Sequence, residues 1–255
     1  PSDFLENANV VKSFTPDLPG NFVGGLVELN TVDFPTSNGF SINFSTGLNN
    51  QISLKSDKFI SFNGGSADWI GFDKNFYEYP NQVPASPDEM KKFIYTDMRS
   101  TNPAVKEQAI EQWKAMGQSF RNTTWEPDKR TALPNINGSL SYSRIFNMFD
   151  NDFGVVASVN YNNAYSYDSF SRALLFSNGI DKEYEGSGIE NIFSTTLGGL
   201  LNLAYKINND NTISFKNIFN NTGDYNVTQL IGRRQETHLM QMSMDYIQKT
   251  MYTGQ

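Results

Sequence analysis

Few residues in this chain are of a type that does covalent chemistry. His238 is the single histidine and there is no cysteine, so thiolate metal sites, disulfides and a Cys–His pair are excluded. His238 stands inside an alternating run, where a place in a β-wall fits better than a base or metal ligand. "GGLLN", at Gly198 and Gly199, lacks the lysine and following helix of a phosphate loop. Asp68 and Asp73 flank "DWIGFD", but two carboxylates fall short of the six to eight oxygens calcium takes. No catalytic set, metal centre or cofactor is assigned, and an enzyme is not expected. What remains is aromatic. Trp69, Phe72, Tyr77 and Trp125 are large flat side chains in one long segment between alternating runs. Such groups stack on sugars, peptides or chelates, and they also fill the cores of folded loops. For Trp69 and Trp125 the two readings weigh equally.

The elements that must position these residues are strands. Six runs alternate with period two, which is the β signature. Phe40, Ile42, Phe44 and Leu48 form the apolar side of the first, against Ser41, Asn43 and Ser45. Leu140, Tyr142 and Phe146 mark the second, and Phe153, Val155, Val159 and Tyr161 the third. Phe193, Leu197, Leu201, Leu203 and Tyr205 give the fourth, then Ile213, Phe215 and Phe219 the fifth. His238, Met240, Met242, Met244 and Tyr246 complete the set. "FDND" and "NNDN" join runs two to three and four to five with tight-turn chemistry; the other three connections read as long. Short turns at one end and long loops at the other fit a transmembrane β-barrel. An antiparallel sandwich with one wet face per sheet is the alternative.

The longest connection, residues 50–134, reads as a partly helical extracellular loop. "SPDE" at Ser86–Glu89 is a capping box with Pro87 at the first helical position. Asn102 and Pro103 repeat the device, with Gly117 as the expected stop. Val105, Ala109, Trp113 and Met116 share one helical face, which puts Trp113 in a small core.

A net charge of −7 argues against nucleic acid as a partner. The sequence has no signal-peptide pattern and no apolar run long enough for a transmembrane helix, which leaves a β-barrel open.

Residues 1–37 stand outside the barrel rhythm. In "FTPDLPGNFVGGLVELNTVDFP", Gly24 and Gly25 supply a tight turn, Val27, Leu29 and Thr31 alternate, and Pro35 is expected to end that strand. This stretch resembles the end of the plug domain in TonB-dependent outer-membrane receptors of the Bacteroidota type. "DWIGFD" resembles the first extracellular loop of the same group. Val32 departs from the pattern, since a basic residue is common there, and the ending typical of starch-utilisation receptors is missing. The resemblance implies a plug terminus over 1–37 and the first six strands of a larger barrel over 38–255. Receptors of this kind close about twenty-two strands around a plugged lumen, so six could not close alone. The signal peptide, the rest of the plug and the energy-coupling box would then lie upstream. The implied function is binding of a scarce small solute or oligomer at the cell surface and its import across the outer membrane. The implied partners are lipid, the TonB energy-coupling protein and, in some cases, a surface lipoprotein or other outer-membrane subunits. A structural barrel subunit without transport and a secreted glycan-binding sandwich are the rival functions.

Overall fold

A computed structural model describes residues 5–11, 26–32, 34–74, 76–120, 127–208, 210–234 and 237–254. Gly24, Gly25 and Trp125 lie outside the described residues. The first two strands, β1 (Leu5–Val11) and β2 (Leu26–Thr31), pair antiparallel as a separate two-stranded sheet. The main sheet has six antiparallel strands: β3 (Gly39–Gly47), β6 (Asn135–Met148), β7 (Asn151–Leu175), β8 (Lys182–Lys206), β9 (Thr212–Arg234) and β10 (Thr237–Gly254). They lie side by side in that order, with β3 and β10 as open edges. Residues between β3 and β6 form an excursion. It holds a second small sheet, β4 (Phe59–Phe62) with β5 (Pro127–Arg130), and two α-helices, α1 (Pro87–Lys92) and α2 (Pro103–Ser119).

Each of the six alternating runs became a strand of one antiparallel meander, because alternation gives a pleated strand one apolar and one polar side. The expected long connections after β7 and β9 are corrected by the structure. β7 runs 25 residues to Leu175 and β8 restarts at Lys182, while only residues 235 and 236 separate β9 from β10. The strands continue where the hydropathy signal fades. Tyr165 and Tyr167 keep the period beyond Tyr161, but Ser166 and Asp168 alternate with Asn163 and Ser169 on nearly equal polarity. At the opposite end the turns are as tight as the sequence requires. Phe149 and Asp150 both have positive φ, 54° and 63°, as a two-residue hairpin turn demands.

The pairing register from β3 to β10 is unbroken apart from one irregularity at Leu174/Leu175, so every side chain keeps its face. One row across the sheet therefore reads Phe44, Gly138, Tyr161, Leu197, Asn221 and Thr250. The row nearer the tight turns reads Ile42, Leu140, Val159, Gly199, Phe219 and Tyr252. Both belong to what we call the aromatic face. The other face carries Ser41, Ser139, Ser158, Asn160, Thr196 and Thr222 and is mainly polar in this region, with Val156, Leu200 and Ile218 among these residues.

The aromatic face divides in two. Away from the tight turns it is roofed by the excursion. Ile60 and Phe62 of β4 pack on Tyr225 and Val227, and Ile52, Phe59 and Ala132 pack against Tyr165, Tyr167 and Phe193. Phe193, Met242, Met244 and Tyr246, read from the sequence as the apolar side of their runs, lie against this roof. Burying aromatic and aliphatic groups from both layers is what holds the excursion down. Toward the tight turns the same face is bare. Phe40, Ile42, Phe44, Val159, Ile213, Phe215 and Tyr252 are all more than half exposed.

The helices of the excursion form where their caps place them. Ser86 accepts from the backbone N–H of Glu89 (3.2 Å), and Asn102 accepts from Ala104 (3.1 Å). Phe93, Ala109 and Met116 make a small separate core. Two expectations are corrected here. α2 runs through Gly117 to Ser119, because Gly117 has ordinary helical φ and the left-handed residue that ends a helix is not placed there. Trp113 stacks on Phe93 with centroids 6.2 Å apart, yet it stays half exposed rather than enclosed.

Candidate functional site

The "DWIGFD" segment, singled out for its aromatics, is laid flat on the aromatic face at the edge of the roof. Residues 68–70 form a single 3-10 turn that ends on Gly71 with φ +78°. A ring of polar side chains on the sheet fixes this turn through its carbonyls. Tyr161 donates to the carbonyl of Trp69 (2.7 Å), and so does Thr195 (2.9 Å). Asn221 donates through Nδ2 to the carbonyls of Gly71 (2.7 Å) and Ile70 (3.3 Å). Its Oδ1 accepts from Thr250 (2.6 Å) and Gln248 (3.2 Å). Gln248 in turn accepts the backbone N–H of Asp73 at 2.9 Å.

These polar groups stand among aromatic and aliphatic residues of that face, and the turn that covers them also takes them out of water. Asn221 is wholly buried and Thr195 is 1 % exposed. Buried polar groups must find partners, so the clamp and the turn require each other. Backbone contact is just as close. A side chain on Gly223 would lie 2.7 Å from the Gly71 Cα, and one on Gly71 would lie 2.9 Å from the Gly223 nitrogen. Only glycine facing glycine permits that approach.

An Asn221→Leu protein is expected to leave the Ile70 and Gly71 carbonyls and the Thr250 hydroxyl without this partner. The cost should be about 1–3 kcal/mol, the penalty for unsatisfied buried groups. Amide hydrogen exchange over residues 68–73 should accelerate while β7 and β8 stay protected. Unchanged exchange would mean that the clamp does not hold the turn.

Beyond the turn, Asp73 Oδ1 accepts from the N–H of Phe76 (2.7 Å), and Tyr77 donates to Asp68 Oδ2 (2.9 Å). Burial pushes the Asp68 carboxyl above its usual range, and the Tyr77 hydroxyl partly opposes this. Burial and the nearby Asp68 charge push the Tyr77 phenol above its usual range. Both carboxylates are thus engaged in closing the loop. Among the described residues no cluster of three or more histidine, aspartate or glutamate side chains could hold a metal ion.

The residues singled out in the sequence do not converge. Trp69 lies beside Tyr161 (6.1 Å between centroids) with 61 % of its surface exposed. Phe72 stacks nearly parallel on Phe219, at 6.2 Å and 3°. Tyr77 stacks on Tyr246 at 4.4 Å and lines a cleft of about 990 Å³ with Phe62, Asp224 and Asp245. Four consecutive residues of β10, Met244–Ile247, border the cleft, so it follows the sheet's open edge. The clamp residues Asn221, Thr195 and Gln248 were not anticipated. Their only trace in the sequence is a polar residue falling on the apolar parity of a strand.

Pro35 is buried on the opposite, polar face, where its ring sits against Gly154 of β7. A side chain at Gly154 would meet the Pro35 Cδ at 2.5 Å. β2 ends at Thr31, and Pro35 stands between it and β3. It belongs to a linker that Asn202 holds by donating to the Val32 carbonyl (3.0 Å). Lys206 lies over the Phe34 ring at 4.1 Å, and Ser143 donates to the Ser37 carbonyl (3.0 Å).

The fold and these surfaces define an antiparallel β protein with one partly bare apolar face and a polar face bearing a linker. Comparison with protein-family models, with curated proteins and with solved structures found no match.

Proposed function

We propose that the chain forms part of the wall of an outer-membrane β-barrel of the TonB-dependent receptor kind, with residues 1–37 as the end of its plug. The observation that carries this reading is the bare apolar band. Soluble proteins rarely leave a contiguous row of large apolar side chains uncovered across several strands. β7 crosses the band between Phe153 and Tyr161, close to the 9–11 residues a tilted transmembrane strand needs. The whole of β7, at about 3.3 Å per residue, is far longer than the band is tall, so most of the strand stands outside the bilayer.

In this reading the aromatic face meets lipid below the roof, and the Ser/Asn face lines a hydrated interior. The linker at Phe34 and Pro35 then lies inside, where a plug would enter the wall. The tight turns at 149–150 and 207–211 face the periplasm, and the excursion lies outside the cell. A soluble sandwich accounts for the roofed half of the sheet but leaves the bare half unexplained. The function is capture of a scarce solute at the surface and its import, powered through the TonB energy-coupling protein. No covalent step is involved.

Topology and transport are tested together in the native organism. In the intact protein, a cysteine at Ser86 should react in whole cells with a membrane-impermeant maleimide. A deletion strain should lose growth on at least one of a panel of iron chelates, cobalamin and oligosaccharides supplied as sole source. Labelling only after the outer membrane is permeabilised would invert the topology and remove the receptor reading.

A further inference from the structure

We propose that the 68–73 turn is a lateral membrane anchor, with Trp69 and Phe72 seated in the outer-leaflet interface on the outside of the wall. The proposal rests on the wall reading above and assigns these aromatics a lipid partner in place of a solute.

Position along the sheet is the first argument. Phe72 stacks on Phe219, which shares a row with Val159, Leu140, Ile42 and Tyr252 in the bare band. Trp69 stands beside Tyr161, in the next row, level with Phe44, which is 71 % exposed. Beyond that row the roof begins. The turn therefore sits on the upper rim of the apolar band and is continuous with it.

The second argument is which face the turn occupies. Trp69 and Phe72 lie over the aromatic face, whereas the linker at Phe34 and Pro35 lies on the other. A solute descending on the linker side of the wall does not meet either ring. Trp69 would then be neither of the two things the sequence weighed equally, a solute contact or the filling of a loop core.

The third argument is mounting. Two hydrogen bonds hold the Trp69 carbonyl, from Tyr161 and Thr195, while most of the side chain remains exposed. A tryptophan with a fixed backbone and a projecting ring suits the headgroup boundary, where an apolar body and one N–H donor are both accommodated. Barrel walls carry aromatic girdles on their own strands. Here, the girdle at the rim is supplied in part by a loop folded back onto the wall.

The test places a bimane fluorophore on single cysteines at Trp69, Phe72, Val159 and Ser86 of the full-length protein, reconstituted in phosphatidylcholine vesicles. Bromine is carried on the lipid either near the headgroup or near the chain end. The labels at 69 and 72 should be quenched more by headgroup-proximal bromine, and the label at 159 more by chain-end bromine. The label at 86 should respond only to aqueous iodide. Lipid quenching at 159 with iodide quenching alone at 69 and 72 would overturn the anchor and leave the wall standing. An absence of lipid quenching at all four positions would overturn both. Position 72 serves where the Trp69 variant fails to fold.

Discussion

A Gly223→Leu protein is expected to keep its six-stranded sheet and lose the docking of its excursion. The two layers touch backbone to backbone at Gly71 and Gly223, and a Cβ on Gly223 would already stand 2.7 Å from the Gly71 Cα. Neither side can yield cheaply. Gly223 is held in register between Thr195 and Gln248, and Gly71 needs its positive φ to end the turn. Overpacking of a fixed contact costs about 1–3 kcal/mol. The clamp adds to this, since lifting the turn uncovers Asn221 and Thr195 together. Local stability of the excursion should therefore fall by at least that amount, while pairing of β6 through β9 changes little. Trypsin cleavage after Lys74 and hydrogen exchange at residues 59–73 read the two regions separately. Gly138→Ala is the control, because a side chain there meets nothing within 4 Å. If Gly223→Leu and Gly138→Ala protect the excursion equally, the glycine interlock is not what seats it.

That interlock shows where the sequence was readable and where it was not. Strand alternation was clear wherever one side was apolar and the other was Ser or Asn, as in Phe40–Phe44 and Phe153–Tyr161. It faded above Tyr161 because both sides of β7, β8 and β9 mix polar, aromatic and aliphatic residues there. Asn191, Tyr225 and Val227 share one side, and Ile192, Asp224 and Leu230 the other. Those residues answer to the excursion rather than to one uniform solvent. Asn221 looks like a fault in the alternation and is in fact half of a hydrogen-bonded pair whose other half lies 150 residues away. No local signal encodes a partner at that separation. The helix caps were readable because Ser86 and Asn102 act within a few residues of themselves. Gly117 was misleading, since glycine stops a helix only where the chain turns left-handed. For Trp69 the sequence supplied the ring but not the face, which is set by the register of strands far along the chain.

Register also makes the bare band testable by charge. Val159 and Asn160 are neighbours on β7 and point to opposite faces. Val159 is 53 % exposed and no second layer covers it, so in a soluble protein Val159→Arg would fall among surface substitutions worth about ±0.5 kcal/mol. In a bilayer the same arginine must leave water or deform the membrane, at about 2–4 kcal/mol near the midplane. Met240 provides the comparison on the same face. It is 65 % exposed and lies at the roofed end, beyond the band, so Met240→Arg should cost little in either setting. Asn160→Arg faces the polar side. Asn160 lies over Gly198, where a Cβ would meet its Oδ1 at 2.2 Å, so the longer side chain must find room there. Its cost should be smaller than that of Val159→Arg and independent of lipid. Reversible urea unfolding of the full-length protein in phosphatidylcholine vesicles measures the three variants on one scale. A gap of at least about 1.5 kcal/mol between Val159→Arg and Met240→Arg is expected, being the lower cost at the midplane less the surface value. Equal values for the two would place position 159 in water and return the sheet to the sandwich class.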